Sequence, residues 1–78
     1  MTQAVDVVLQ VCGLRCPMPL LKTKQALSSM DIGQVLKVEA SDAGAWRDIP
    51  AFVALSPHVL LGREEEGELF VFYILKGE

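Results

Sequence analysis

The 78-residue sequence has little of several things that usually announce a function. Its two cysteines, Cys12 and Cys16, cannot build a disulfide framework. With the single histidine, His58, and scattered carboxylates at Glu39, Asp42 and Asp48, they offer no spacing typical of a metal cage, so no metal site is expected. Basic residues are also scarce: 7 Lys and Arg stand against 10 Asp and Glu, a formal net charge of −3. That balance excludes a general nucleic-acid surface, which needs concentrated cations, and no direct nucleic-acid partner is expected. No apolar run approaches the ~18 residues of a membrane span, the longest candidate being the strand-length Leu69 to Leu75. The stretch Met1 to Asp6 lacks a basic segment ahead of an apolar one, so no secretory signal is read there. The expected compartment is therefore the reducing cytoplasm. Repeats, low-complexity segments and linkers are missing too, which leaves a single domain over residues 1–78. A chain this short buries only about 60% of its unfolded surface, so its core is thin.

What is present is apolar patterning: 51% of residues are hydrophobic. Val5 to Val11 alternates as a half-buried strand, with Cys12 at its end, and Gly13 permits a turn. Cys16-Pro17-Met18-Pro19 then launches a helix to about Ser29, with Leu20, Thr23, Leu27 and Met30 as its packed stripe. Lys22, Lys24, Gln25 and Ser28 face water. Val35 to Ala40 alternates again, and strand, helix and strand in this order make a parallel unit. Ser41 to Gly44 reads as a loop, and Asp48-Ile49-Pro50 as the start of a second helix, with Asp48 as cap and Phe52, Val53 and Leu55 buried. Ser56-Pro57 ends it.

A hairpin closes the chain: His58 to Glu65, a turn at Glu66-Gly67, then Glu68 to Lys76. Leu69 to Leu75 is apolar on both parities, which predicts an internal strand. Two helices cover only one face of such a sheet. Either Phe70, Phe72 and Ile74 or Leu69, Val71, Tyr73 and Leu75 must then lie on the other face, which predicts docking or weak self-association there.

Cys16 carries the strongest chemical signal. A lone cysteine is commonly a small buried hydrophobe, but this one lies between a glycine turn, Arg15 and two prolines. Pro17 pushes Cys16 toward extended angles, so Cys16 is expected at the helix N-cap with Pro17 at the first helical position. The helix dipole and Arg15 would then favour thiolate. Because Pro17 and Pro19 have no N–H, Met18 keeps the only backbone donor of the first three helical residues. The expected thiol is thus moderately activated and rigidly held. Cys12-x-x-x-Cys16 is one residue longer than the thioredoxin-type spacing, which makes Cys12 more an apolar strand-end residue than half of a redox pair. His58 reads as a hydrogen-bonding or packing residue that could tune Cys16 if the fold joins them. Arg47 is a surface charge beside the Asp48 cap, and Trp46 either covers the end of the core or belongs to a partner surface. Lys22 and Lys24 are a solvated helix face or a source of positive potential near the thiol that draws in an acidic partner.

Gly13-Leu14-Arg15-Cys16-Pro17-Met18-Pro19, followed by Leu20-Leu21-Lys22, resembles the signature of the TusA-like (SirA-like) small sulfur-carrier family. Asp42, Arg47-Asp48-Ile49-Pro50-Ala51-Phe52, His58 and the closing hairpin fit the same pattern, so the resemblance spans nearly the whole chain. It implies an α+β fold, a two-layer α/β sandwich of order βαβαββ with two helices on one face of a four-stranded mixed sheet. It also implies that Cys16 carries a transient persulfide, with no resident cofactor. The sulfur would come from a cysteine desulfurase or rhodanese-type donor and pass to an acceptor sulfurtransferase or a molybdoenzyme maturation protein. The family serves tRNA thiolation, molybdoenzyme sulfuration and sulfur oxidation, and these residues select none of them. Arg15, Pro17, Pro19, Lys22, Lys24 and Asp48 would support the thiol, Cys12 and His58 are auxiliary candidates, and Trp46 and Arg47 would meet partners. Val53 stands where some members carry a second cysteine, and Cys12 where an apolar residue is common. Two other readings remain: a regulatory interaction module that keeps the motif for folding, and a Cys12/Cys16 dithiol redox protein.

Overall fold

Alternation decides which side of each strand is buried, and the computed structural model, which describes residues 4–78, shows where that side points. Met1, Thr2 and Gln3, on which the reading of the N-terminus leans, lie outside the described residues. The elements are β1 (Val7–Val11), α1 (Met18–Ser28), β2 (Val35–Ala40), α2 (Ala43–Ala54), β3 (Val59–Glu66) and β4 (Leu69–Leu75). The strands form one sheet in the order β1-β2-β4-β3, with β1 parallel to β2 and the other pairs antiparallel. Both helices pack on one face. The fold is the α+β, two-layer βαβαββ sandwich, and β4 is internal, as its apolar character on both parities requires.

Register aligns the buried residues in rows across the sheet. Val7, Leu36, Ile74 and Leu60 form one row, Leu9, Val38 and Phe72 the next, and Val11, Ala40 and Phe70 the third. Leu36, Val38, Ala40, Phe72 and Ile74 are fully buried. From the helices, Pro19, Thr23 and Leu27 of α1 and Ala45, Ile49 and Val53 of α2 close over them. Each large aliphatic or aromatic side chain buried in this way stabilises the fold by about 1.5–3 kcal/mol. Among the described residues the one buried polar side chain, Thr23, donates from Oγ1 to the Pro19 carbonyl at 2.8 Å, so its hydroxyl is paired.

The uncovered face carries Leu69, Val71, Tyr73 and Leu75 rather than the phenylalanine set. Its apolar content is divided by polar side chains. Gln10 Nε2 donates to Glu39 Oε1 at 2.9 Å, Lys37 pairs with Glu39 at 3.7 Å, and Tyr73 donates its hydroxyl to Glu64 at 3.3 Å. Val35 and Val71 are nearly buried beneath these neighbours, while Val8 and Val59 stay exposed on the edge strands.

Both helix starts differ from the expected positions. Helix α1 begins at Met18, with Pro17 in the cap position and no side-chain cap, so Cys16 lies one residue outside the helix. A turn closed by the Met18 N–H on the Arg15 carbonyl, 2.8 Å, takes up the Cys16-Pro17 segment, and the Cys16–Pro17 peptide is cis. Pro19, not Pro17, occupies the first helical turn and is buried there.

Helix α2 begins a full turn and more before the expected start. Its cap is Asp42, with extended angles and Oδ2 accepting from the Gly44 N–H at 3.0 Å. Asp48 is therefore an interior helix residue, and Pro50 lies inside the helix as well. A proline there removes the donor that the Trp46 carbonyl would otherwise receive. Arg63 of β3 supplies one instead: its Nη1 donates to the Trp46 carbonyl at 2.9 Å while its guanidinium lies 3.9 Å from the Trp46 ring centroid. The missing bond of the helix thus becomes a tie between layers. Leu55, expected in the core, is 92% exposed because α2 ends at Ala54 and the chain turns away.

Candidate functional site

The loop between β1 and α1 is pinned at both ends. Gly13, at φ +86, reverses the chain and donates its N–H to Ser41 Oγ at 2.8 Å, and Leu14 packs against the core. After Leu14, the Arg15–Met18 turn holds Cys16 against the first turns of α2. The approach is close because residue 44 is glycine. A Cβ there would stand 3.3 Å from the Cys16 Cβ and 2.8 Å from Asp42 Oδ2.

The Cys16 thiol is exposed and donates to Asp48 Oδ2, with Sγ and the oxygen 3.1 Å apart. The other carboxylate oxygen of Asp48 accepts from Arg47 Nε at 3.3 Å. Asp48 is the more enclosed partner of that ion pair: its side chain is 26% exposed, against 81% for Arg47. The carboxylate acts on both protonation equilibria. The hydrogen bond to Asp48 pushes the Cys16 thiol above its ordinary value of 9.0, helped by desolvation and by the charges of Asp48 and Asp42, with Arg47 acting in the opposite sense. The same bond, together with that from Arg47, holds the Asp48 carboxyl below the usual carboxylate range. At neutral pH the pair is thiol and carboxylate. The thiolate-favouring setting expected from the helix dipole and Arg15 is replaced by one that favours the proton on sulfur.

Of the other residues singled out in the sequence, Arg15, Lys22 and Lys24 are exposed and are not among the groups whose charge reaches the sulfur. Lys24 instead lies with Nζ 5.1 Å from the Phe52 ring centroid, on the rim of a groove between the helices. That groove, about 340 Å³, is lined by Leu20, Lys24, Asp48, Ala51, Phe52 and Leu55, so Asp48 belongs to both the thiol site and the groove. His58 is committed elsewhere. Its Nδ1 accepts the Gly77 N–H at 2.9 Å and its ring faces Phe52, while burial and the nearby Lys76 depress its pKa. Trp46 is half-buried against Phe70, Phe72 and Arg63, and Arg47 is open to solvent. Cys12 is an exposed free thiol rather than a packed strand-end residue, and its backbone N–H donates to Gln10 Oε1 at 2.8 Å. Among the described residues no group of three or more His, Cys, Asp or Glu could hold a metal ion, and no helix is long and apolar enough to cross a membrane.

Asp48 was expected as a helix cap that supports the thiol; what reading the sequence missed is its place inside α2 and its direct hydrogen bond from Cys16. A signal for it existed: Ala45, Ile49 and Val53 recur every four residues, which places the α2 cap at Asp42 and turns Asp48 toward α1.

An α+β sandwich that presents one tethered thiol at the end of its helical layer defines a class of small thiol-bearing domains. The sulfurtransferase TusA family model matches residues 7–76, and the chain belongs to that family. It is 42% identical over 71 residues to the sulfur carrier protein TusA of Allochromatium vinosum, covering 91% of this chain and 93% of that one. It is 36% identical over 76 residues to the sulfur carrier protein TusA of Pseudomonas aeruginosa, covering 97% and 96%. The fold is also that of a crystal structure of a SirA-like protein from Desulfitobacterium hafniense, with a TM-score of 0.80 at 19% identity, covering 94% of this chain and all of the other.

Proposed function

We propose that the protein is a sulfur carrier that accepts sulfane sulfur on Cys16 as a persulfide and relays it to a partner enzyme in the cytoplasm. The observation that carries this reading is the exposed Cys16 thiol, held by a pinned loop in a chain of the TusA family. The Cys16 sulfur attacks the outer sulfur of a donor persulfide. A bond forms between Sγ and that sulfur, the donor's S–S bond breaks, and the departing donor thiolate takes up the proton lost from Cys16. One thiol and one persulfide become another thiol and persulfide, with no net oxidation. Unloading repeats the exchange toward an acceptor thiol. The donor is a cysteine desulfurase or rhodanese-type enzyme, and the acceptor a sulfurtransferase or a molybdoenzyme maturation protein; the cargo is the persulfide sulfur itself. The protein thus acts as a sulfurtransferase only together with its partners.

Incubation with a cysteine desulfurase and cysteine, followed by intact mass with and without reductant, tests the proposal. A reductant-labile gain of one sulfur that disappears in Cys16→Ser and persists in Cys12→Ser is the expected result. An internal disulfide that needs both cysteines would point to dithiol chemistry, and no gain from any donor to an interaction module.

A further inference from the structure

A carrier thiol has to be exposed to be reached, and exposure opens it to every electrophile in solution. The neighbourhood of Cys16 contains a way to separate the two. Among the described residues Sγ has one hydrogen-bond partner, Asp48 Oδ2 at 3.1 Å, and that carboxylate also accepts from Arg47 Nε at 3.3 Å on its other oxygen. Asp48 projects from the interior of α2, whose neighbours Ala45 and Ile49 are buried, so its backbone position is fixed by the core. Gly44 brings the Cys16 backbone close enough for the contact.

We propose that Asp48 masks Cys16, holding the exposed sulfur as a hydrogen-bonded thiol so that the free carrier is a poor nucleophile until a partner disturbs the pair. The charges that act on the sulfur are Asp48 and Asp42 from α2 and its cap, against Arg47 from α2; α1 places no acidic residue in its first turn. The balance is negative, and a thiolate beside it is disfavoured. Loading necessarily breaks the contact. A persulfide has no proton on Sγ, and an S–S bond of about 2.05 Å cannot lie along a 3.1 Å line to a carboxylate oxygen. The bond from Sγ is then gone while the ion pair with Arg47 remains, so the empty and loaded carriers present different surfaces at this point.

The inference rests on the sulfur-carrier reading for its purpose, whereas the masking is measured on the thiol alone. In a Cys12→Ser background, the rate of Cys16 alkylation by iodoacetamide is followed against pH for wild-type Asp48, Asp48→Asn and Asp48→Glu. Masking predicts that Asp48→Asn moves the rate profile toward lower pH and speeds alkylation at pH 7 by about threefold or more. Each unit of lowered thiol pKa gains roughly tenfold in thiolate and returns about threefold in nucleophilicity. Asp48→Glu, which keeps a carboxylate, should stay nearer the wild-type profile. Superimposable profiles for wild type and Asp48→Asn would overturn the proposal. If Asp48→Asn fails to fold, the infrared S–H stretch of Cys16 decides: masking predicts a lower frequency than that of Cys12 in Cys16→Ser, and equal frequencies refute it. A Cys12→Ser protein that gains no sulfur from any donor, yet whose alkylation depends on Asp48, would keep the mask and remove the carrier reading.

Discussion

Cys12 and Cys16 lie on one short loop, both as exposed free thiols, yet the fold treats them differently. Cys12 sits at the end of β1, where its backbone is held by Gln10. Cys16 is drawn against α2 and given a carboxylate partner. Exposure alone therefore does not tell the two thiols apart. The difference lies in what a distant segment, 32 residues along the chain, brings to the sulfur.

The largest effect that would break this comparison is on sulfur loading. Cys16→Ser should abolish the reductant-labile mass gain and Cys12→Ser should leave it intact; loading that survives Cys16→Ser would reverse the roles. Next in size is the scaffold behind Asp48. Ile49 is fully buried, and Ile49→Ala should cost about 2–5 kcal/mol in denaturant unfolding. By loosening α2 it should also bring the alkylation rates of the two cysteines closer together. Asp42→Ala removes the α2 cap and should cost about 1 kcal/mol by thermal or chemical melting.

Arg63→Ala should cost a comparable ~1 kcal/mol, because it removes the donor to the Trp46 carbonyl and the contact with the indole ring. Pro50→Ala restores a helical donor to that carbonyl, so the cost of Arg63→Ala should shrink in that background. An unchanged cost in the double-mutant cycle would mean that the two are not coupled.

The smallest effect is on pH dependence. The folded-state pKa of Cys16 is raised, so the stability it contributes is fully present below about 9.0 and is lost as pH rises through the folded value. His58 has the opposite sign: its folded pKa is depressed, so its contribution is present above about 6.5 and is lost as pH falls through the folded value. Urea midpoints measured across pH should show both declines. Asp48→Asn should flatten the alkaline one, and His58→Gln the acidic one.

Much of the architecture was legible because strand alternation and the βαβ order depend on local periodicity. β2 is the same from Val35 to Ala40 in the sequence reading and in the structure, and β4 is internal as its two apolar faces demand. Helix starts were less legible. Pro50 looked like a first-turn proline, the position where proline costs least, yet it is an interior residue whose missing donor Arg63 replaces from β3. No local pattern could contain that compensation, since the two residues belong to different layers. Leu55 misled for a related reason: its apolar side chain has the spacing of a core residue but falls beyond the end of α2.

By itself, the sequence determined that a thiol would sit in a glycine- and proline-bounded loop before a helix, and that strands of alternating character would stack beneath it. Those are consequences of backbone restriction and side-chain period, which act over a few residues. Only the tertiary structure decided the chemical state of that thiol. It caps α2 at Asp42, turns Asp48 toward Cys16 and leaves room at Gly44, placing a carboxylate 3.1 Å from the sulfur. A proton's preference is set by charges within a few ångströms, whichever part of the chain they come from.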